Sequence, residues 1–237
     1  MGRSDRKQAA AKFRRAIARS NELHADYLGD PGLYESYDHF TRWQLNYMLP
    51  YFSDLLEPEG YAEAVDFIVS DLAGVGVSAR DRDIERATPV IVRSLPTHAL
   101  ETAAAAVELN ARALEINLSI CRELLVDGEL PTDITEKDYF IACRKVSSYD
   151  ECMDLVHLAT DLGETLKKLA RVPLIGGLLR TMRKPAHAAG FGALQEFLET
   201  GYLTFRRISD IDRFLEFLRQ RMDHVFERVY NSPITGQ

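Results

Sequence analysis

The stretch from Thr97 to Val126 reads THALETAAAAVELNARALEINLSICRELLV, and it decides the fold class of the chain. Its apolar residues recur at alternating steps of four and three, which is the spacing of one face of an α-helix. This apolar face consists of Leu100, Ala104, Val107, Ala111, Leu114, Leu118, Cys121 and Leu125. The pattern predicts one long helix that begins after Pro96 and ends near Val126.

A second apolar line on the same stretch, formed by Leu109, Ile116 and Ile120, predicts contacts on more than one side of this helix and therefore a central position. Helical spacing also dominates the rest of the chain, and no stretch alternates convincingly between apolar and polar residues. We therefore predict an all-α fold. It is a single-domain bundle of about eight or nine helices over residues 1–237, with frayed ends at 1–5 and 231–237.

Capping residues predict where several helices begin. Thr135 precedes a short helix, and Ser148 with Glu151 has the spacing of a capping box. Ser209 is the predicted N-cap of the last helix. A second, aromatic-rich helix is predicted from about Tyr34 to Leu56. Pro50 is expected to kink or split it, because proline lacks the backbone donor that a helix interior needs.

Composition bounds the class of partner. The hydrophobic fraction of 46% is that of a globular protein, and the net charge of −7 argues against general nucleic-acid binding. No apolar run is long enough to span a bilayer, and the basic N-terminus lacks the apolar core of a secretory signal. Cys121, Cys143 and Cys152 form no CxxC pair, so we expect reduced, buried thiols and a cytoplasmic location.

Motifs for catalysis are absent from the sequence. It contains no nucleophile elbow and no P-loop, and no strand precedes the short glycine motifs at 74–76 and 190–192. Asp154 and His157 share a helix face and resemble half of a metal-binding carboxylate–histidine set, but a surface histidine beside an aspartate has the same spacing. We predict no catalytic residues, no bound metal and no cofactor.

The strongest electrostatic feature is a basic segment in this acidic chain, with no Asp or Glu between residues 167 and 184. Its six cations are Lys167, Lys168, Arg171, Arg180, Arg183 and Lys184. Helical spacing brings the last three to one patch, and the nearby Gly176 and Gly177 suit an anion at a helix start. Alternatively, these side chains reach solvent or pair with acidic neighbours. Membrane contact is disfavoured, because small residues that suit close helix packing follow the cluster.

The segment AVDFIVSDLAG, from Ala64 to Gly74, resembles the motif of a bacterial family named for FFLEE or FFLEEY. Phe67 and Ile68 stand at its paired Phe, and Ser70 and Asp71 at its two acidic residues. Further support comes from RWQLNYMLPYFSDLL, RATPVIVRSLP, AAAAVELNARALEINL and LLRTMRKPAHAAGFGALQEFLETGYLTFRRI. The resemblance covers roughly residues 42–217 and implies an α-helical protein, with no activity to carry over.

Within that segment we expect an apolar, inward face of Phe67, Ile68 and Leu72, and an outward face of Asp66, Ser70 and Asp71. For the whole chain, the lack of catalytic motifs favours a protein-interaction or regulatory module that contacts a protein partner or forms a homodimer. One alternative is a binder of a small anionic or amphipathic ligand held between helices by the basic cluster. The other is a metal-dependent helical-bundle enzyme.

Overall fold

The computed structural model describes residues 3–56, 60–68 and 78–233. Within these ranges the chain forms ten α-helices and one 3₁₀ helix, Leu49–Leu56, with no strand longer than a single bridge between Val126 and Glu129. The α-helices are α1 Arg3–Leu28, α2 Pro31–Met48, α3 Tyr61–Phe67, α4 Ser78–Ser94, α5 Thr97–Leu124, α6 Glu136–Val146, α7 Tyr149–Ala170, α8 Pro173–Ala188, α9 Gly192–Arg207 and α10 Ile211–Asn231. The predicted all-α, multi-helix bundle is confirmed.

Helix α5 lies at the centre of the bundle, as predicted. It contacts α1, α2, α6 and α7. Most of the predicted apolar face is buried, and Leu100, Ala104, Leu118 and Cys121 are fully shielded from solvent. Ile120, on the second apolar line, is also buried, so neighbours cover the helix on more than one side. The helix ends one residue before Leu125, which is its C-cap in extended backbone.

The two halves of α5 meet different cores. Near its start, Leu100 and Ala104 pack with Phe13, Ile17 and two alanines of α1. Further along, the helix faces an aromatic cluster of α2 and α6 that includes Phe40 and Tyr139. The alanines of the first half let two helix backbones approach closely, whereas the second half fills a wider space with rings.

Helix starts follow the side chains that cap them. The capping box of Ser148 and Glu151 is present in full at the start of α7, and the Thr135 hydroxyl accepts from the Asp138 amide at 3.1 Å before α6. The prediction of Ser209 as the last N-cap is wrong by one residue. Asp210 takes that place, because its backbone is extended and its carboxylate accepts from the Arg213 amide at 3.0 Å.

A third core cluster joins the 3₁₀ helix, α3 and the start of α10, and it fixes the link between α9 and α10. Tyr61 is almost fully buried, packs edge-on against Phe214, and donates from its hydroxyl to the Asp210 carbonyl at 2.7 Å. Gly60, at φ 81°, lies so close to Arg207 that a Cβ would fall 2.3 Å from its carbonyl oxygen. The start of α3 therefore packs directly against the last residues of α9.

The predicted split at Pro50 is confirmed, since α2 ends at Met48 and the 3₁₀ helix follows. In the resemblance segment, Phe67 stacks on Phe197 with centroids 5.4 Å apart, Ile68 packs on the third cluster, and Asp66 is exposed. Ser70, Asp71 and Leu72, like the glycine motif at 74–76, lie outside the described residues.

Candidate functional site

Helices α8 and α9 form an antiparallel pair at the edge of the bundle. Gly176 near the start of α8 meets the ring of Tyr202 near the end of α9, and His187 near the end of α8 meets Gly192 at the start of α9. Between these points, the Gln195 amide donates to the Leu179 carbonyl at 2.7 Å. Because α8 packs mainly on α9, with a smaller contact to α7, much of its surface faces solvent.

Large apolar side chains occupy part of that solvent-facing surface. Leu178 is 58% exposed, and Met182, one turn further along α8, is 44% exposed. The antiparallel register places Leu198 of α9, also 44% exposed, level with the same turn of α8. We call these three residues the α8–α9 face. Isolated exposed leucines are ordinary, but three at one level of a helix pair form a candidate contact surface.

The six predicted basic residues divide into separate environments. Lys167, at the end of α7, is mostly covered and donates to the Asp212 carboxylate of α10, while Glu164 lies 3.6 Å away. The hydrogen bond to Asp212 raises the pKa of Lys167. The same bond lowers the pKa of Asp212, and the positive charge of Arg171 adds to that effect. Lys167 is thus committed to a partner on α10.

Arg183 pairs with an acidic residue of a different helix, α9. Its Nε donates to both oxygens of Glu199 on α9, at 2.9 and 3.2 Å, and a second guanidinium nitrogen completes a two-point contact. This pairing lowers the pKa of Glu199, chiefly through the hydrogen bond to Arg183, and the charge of Arg180 contributes further. The carboxylate therefore holds α8 against α9 at this level.

Lys168, Arg171, Arg180 and Lys184 are exposed. Among the six, Arg171 is the one that borders a cleft of about 480 Å³ between the end of α7, the end of α9 and the start of α10. The structure therefore pairs Lys167 and Arg183 with acidic neighbours, as the second sequence interpretation allowed, and it leaves Arg180 and Lys184 exposed on α8. Gly176 and Gly177 lie inside α8, which begins at Pro173.

The predicted metal-binding pair and the three cysteines lie outside the α8–α9 pair. Asp154 and His157 are exposed on α7, and within residues 3–56, 60–68 and 78–233 no three potential metal-ligating side chains lie together. The cysteines are free and buried. Burial raises the pKa of Cys121 to about 11 and that of Cys143 to about 12, so these thiols are poor nucleophiles at neutral pH. Across the described ranges, no helix is both long and apolar enough to cross a bilayer.

Comparison with known protein families gives a match over most of the chain. The model of a family described as a domain of unknown function (DUF8198) matches residues 24–234, which is most of the chain. The chain belongs to this family. No curated protein and no solved structure matched the chain in the corresponding searches. The DUF8198 match carries no activity and bears on neither the FFLEE motif nor a bacterial source, so that resemblance stays a prediction.

The sequence did not predict several residues that line the cleft or form the α8–α9 face. Arg206 and Tyr202 border the same cleft as Arg171, and Leu178 and Met182 are exposed rather than buried. The spacing of Leu178 and Met182 was visible as a helix-face repeat, but periodicity alone does not tell whether a neighbour covers the face. Nothing in the sequence places Arg206 and Arg171 at one cleft, because that placement depends on how α9 lies against α7.

Proposed function

We propose that the chain is a non-catalytic interaction module whose α8–α9 face binds an acidic amphipathic helix of a protein partner. The observation that carries this proposal is the exposure of Leu178, Met182 and Leu198 at one level of the α8–α9 pair. Grooves between two helices commonly accept the apolar side of a third helix, and a methionine adapts to the shape of its partner.

Charge indicates which kind of helix fits. Arg180 and Lys184 are exposed on α8, although their spacing from Leu178 and Met182 places them on the other side of the helix, and α8 itself carries no acidic residue. Lys168 and Arg171, at the end of α7, add positive charge beside its start. The positive charge around α8 therefore attracts, at longer range, a partner helix that carries acidic residues beside its apolar stripe.

A protein partner is favoured over a membrane surface by two features. The exposed apolar residues belong to two helices rather than to one continuous interfacial helix, and the charge of Arg183 is paired with Glu199 although the side chain is exposed. We also propose a cytoplasmic location, which the three free, buried thiols support.

The test is a selection from a displayed library of helical peptides against the whole chain. We expect the enriched peptides to carry acidic residues beside apolar residues at helical spacing, and to bind less tightly in salt. The double variant Leu178→Asp with Met182→Asp should weaken binding at least about tenfold, because it places charge in the centre of the contact. Fluorescence anisotropy of the enriched peptides measures this.

Val90→Asp is the matched control, since Val90 is also 58% exposed but lies on α4. It should leave peptide binding unchanged. Failure to enrich any peptide, or equal binding to the wild type and the double variant, would overturn the proposal. Two other results would replace the proposed occupant: binding to phosphatidylserine vesicles, or a dimer seen by sedimentation, either one abolished by the same double variant.

A further inference from the structure

The cleft between α7, α9 and α10 is lined by both apolar and basic side chains. It measures about 480 Å³, within the range of small-molecule sites. Its apolar wall includes Phe205 and the buried Ile208, and its polar rim includes Arg171 and Arg206. We call it the Arg171–Arg206 cleft.

The acidic side chains near this cleft are already engaged. The Asp210 carboxylate caps α10 by accepting from the Arg213 amide at 3.0 Å. Asp212 accepts from Lys167, which comes from α7 and is itself mostly covered. Neither carboxylate is therefore fully available to neutralise the two arginines across the cleft.

The arginines, in contrast, keep most of their donors. Within the described part of the chain, Arg171 donates no hydrogen bond and forms no ion pair, although its charge lowers the pKa of Asp212 after the larger effect of Lys167. Arg206 lies over the Tyr202 ring at 5.7 Å and donates to the Tyr202 hydroxyl at 3.3 Å. That bond orients the guanidinium and, among the described residues, leaves its second terminal nitrogen and Nε without an acceptor. Two guanidinium groups with unused donors thus border one cleft.

We propose that the Arg171–Arg206 cleft binds a small organic oxyanion, a carboxylate or phosphate carried on an apolar body. The oxyanion accepts hydrogen bonds from the two guanidinium groups, which match the planar, two-point geometry of carboxylate and phosphate oxygens. Tyr202, whose hydroxyl already accepts from Arg206, donates its own proton to the same anion. The apolar body of the ligand rests on Phe205 and Ile208.

This site is distinct from the α8–α9 face, and it uses a single member of the six basic residues predicted from the sequence. The N-terminus of α10 contributes little to it, because Asp210 already occupies the cap position. Recognition depends instead on side chains from two helices that meet only in the folded chain. An apolar molecule without a charged group leaves the guanidinium donors unpaired in the complex and is disfavoured.

NMR titration of the whole chain with benzoate, phenyl phosphate, inorganic phosphate and benzyl alcohol tests the proposal. We expect benzoate, phenyl phosphate or both to bind saturably with a Kd of about 1 mM or tighter, and their difference tells which oxyanion is preferred. Inorganic phosphate should bind more weakly, because it lacks the apolar body, and benzyl alcohol should not saturate. The amide signals that move should come from the end of α7, the end of α9 and the start of α10.

Single variants locate the site. Arg171→Gln and Arg206→Gln should each raise the Kd about tenfold, whereas Arg206→Lys, which keeps the charge but loses the two-point contact, should fall between. Arg180→Gln is the control, since Arg180 is also exposed but lies on α8 outside the cleft. The proposal is wrong if no oxyanion saturates, if both cleft variants bind like the wild type, or if Arg180→Gln weakens binding as much as they do. Unchanged melting temperatures confirm that the variants remain folded.

Discussion

Helices α5 and α8 each carry an apolar face, but the face of α5 lies in the core and that of α8 is largely exposed to solvent. Leu118 of α5 is completely buried, because four other helices surround it. Leu178 of α8 is 58% exposed, because α8 packs mainly on α9. The comparison teaches that an apolar face predicts a helix, while its neighbours decide whether that face becomes core or contact surface.

The largest expected difference is in stability. Leu118→Ala should lower the free energy of unfolding by about 2–5 kcal/mol, because it leaves a cavity in a packed core. Leu178→Ala should change it by less than about 0.5 kcal/mol, since the side chain is largely in solvent. Urea unfolding followed by circular dichroism measures both. Equal losses in the two variants would show that α8 is covered in solution.

Thiol reactivity separates the same two regions. At pH 8, Cys121 and Cys143 should react with Ellman's reagent slowly in the native state, because burial raises their pKa values to about 11 and about 12. A cysteine introduced by Met182→Cys, at a position 44% exposed, should react about two orders of magnitude faster. In urea all thiols should react alike. Fast labelling of Cys121 in the folded chain would contradict the buried core.

Glycine-to-alanine changes should alter the stability of the chain in opposite directions at a crowded position and at one with free space around it. Gly60→Ala should destabilise the chain by about 1–3 kcal/mol, since φ is 81° and the Cβ would meet the Arg207 carbonyl. Gly177→Ala in α8 should stabilise it by about 0.5–1 kcal/mol, because nothing lies within 4 Å of the new Cβ and alanine is the better helix former. Thermal unfolding of both variants measures the signs. A destabilised Gly177→Ala would place an unseen neighbour against α8.

The smallest expected effect concerns the contact that holds α8 on α9. In the wild type, the hydrogen bond from Arg183 keeps the pKa of Glu199 below its usual 4.5, and Arg183→Gln should raise it towards that value. Because the folded-state pKa is depressed, the contact stabilises the chain above the unfolded pKa and is lost as the pH falls through the folded one. Carboxyl NMR titration measures the shift. Arg219→Gln, which removes the partner of Glu216 on α10, should leave Glu199 unchanged.

Much of the fold was predictable because its signals are local. The apolar face of α5, the capping box at Ser148 and the break at Pro50 each depend on residues within a few positions of one another, and each is confirmed. The N-cap at Ser209 was wrong by one residue, since two adjacent residues can both cap and only backbone geometry selects Asp210.

The candidate sites were less predictable because they depend on distant residues. The sequence identified a basic segment, but Lys167 finds its carboxylate 45 positions away in Asp212, and Arg183 finds Glu199 16 positions away. No spacing rule relates such pairs. Arg206 was missed for the same reason, since it reaches the side of Arg171 only when α9 lies against the end of α7.

The sequence by itself determined that the chain is helical, where several helices begin, and which stripe of the long central helix is apolar. The tertiary structure alone decided that the stripe of α5 is core, that Leu178 and Met182 of α8 face solvent, and that two arginines from different helices border one cleft. The physical reason is range. Backbone hydrogen bonds and helical periodicity act within a few residues, whereas burial and ion pairing depend on which elements meet after the chain has folded.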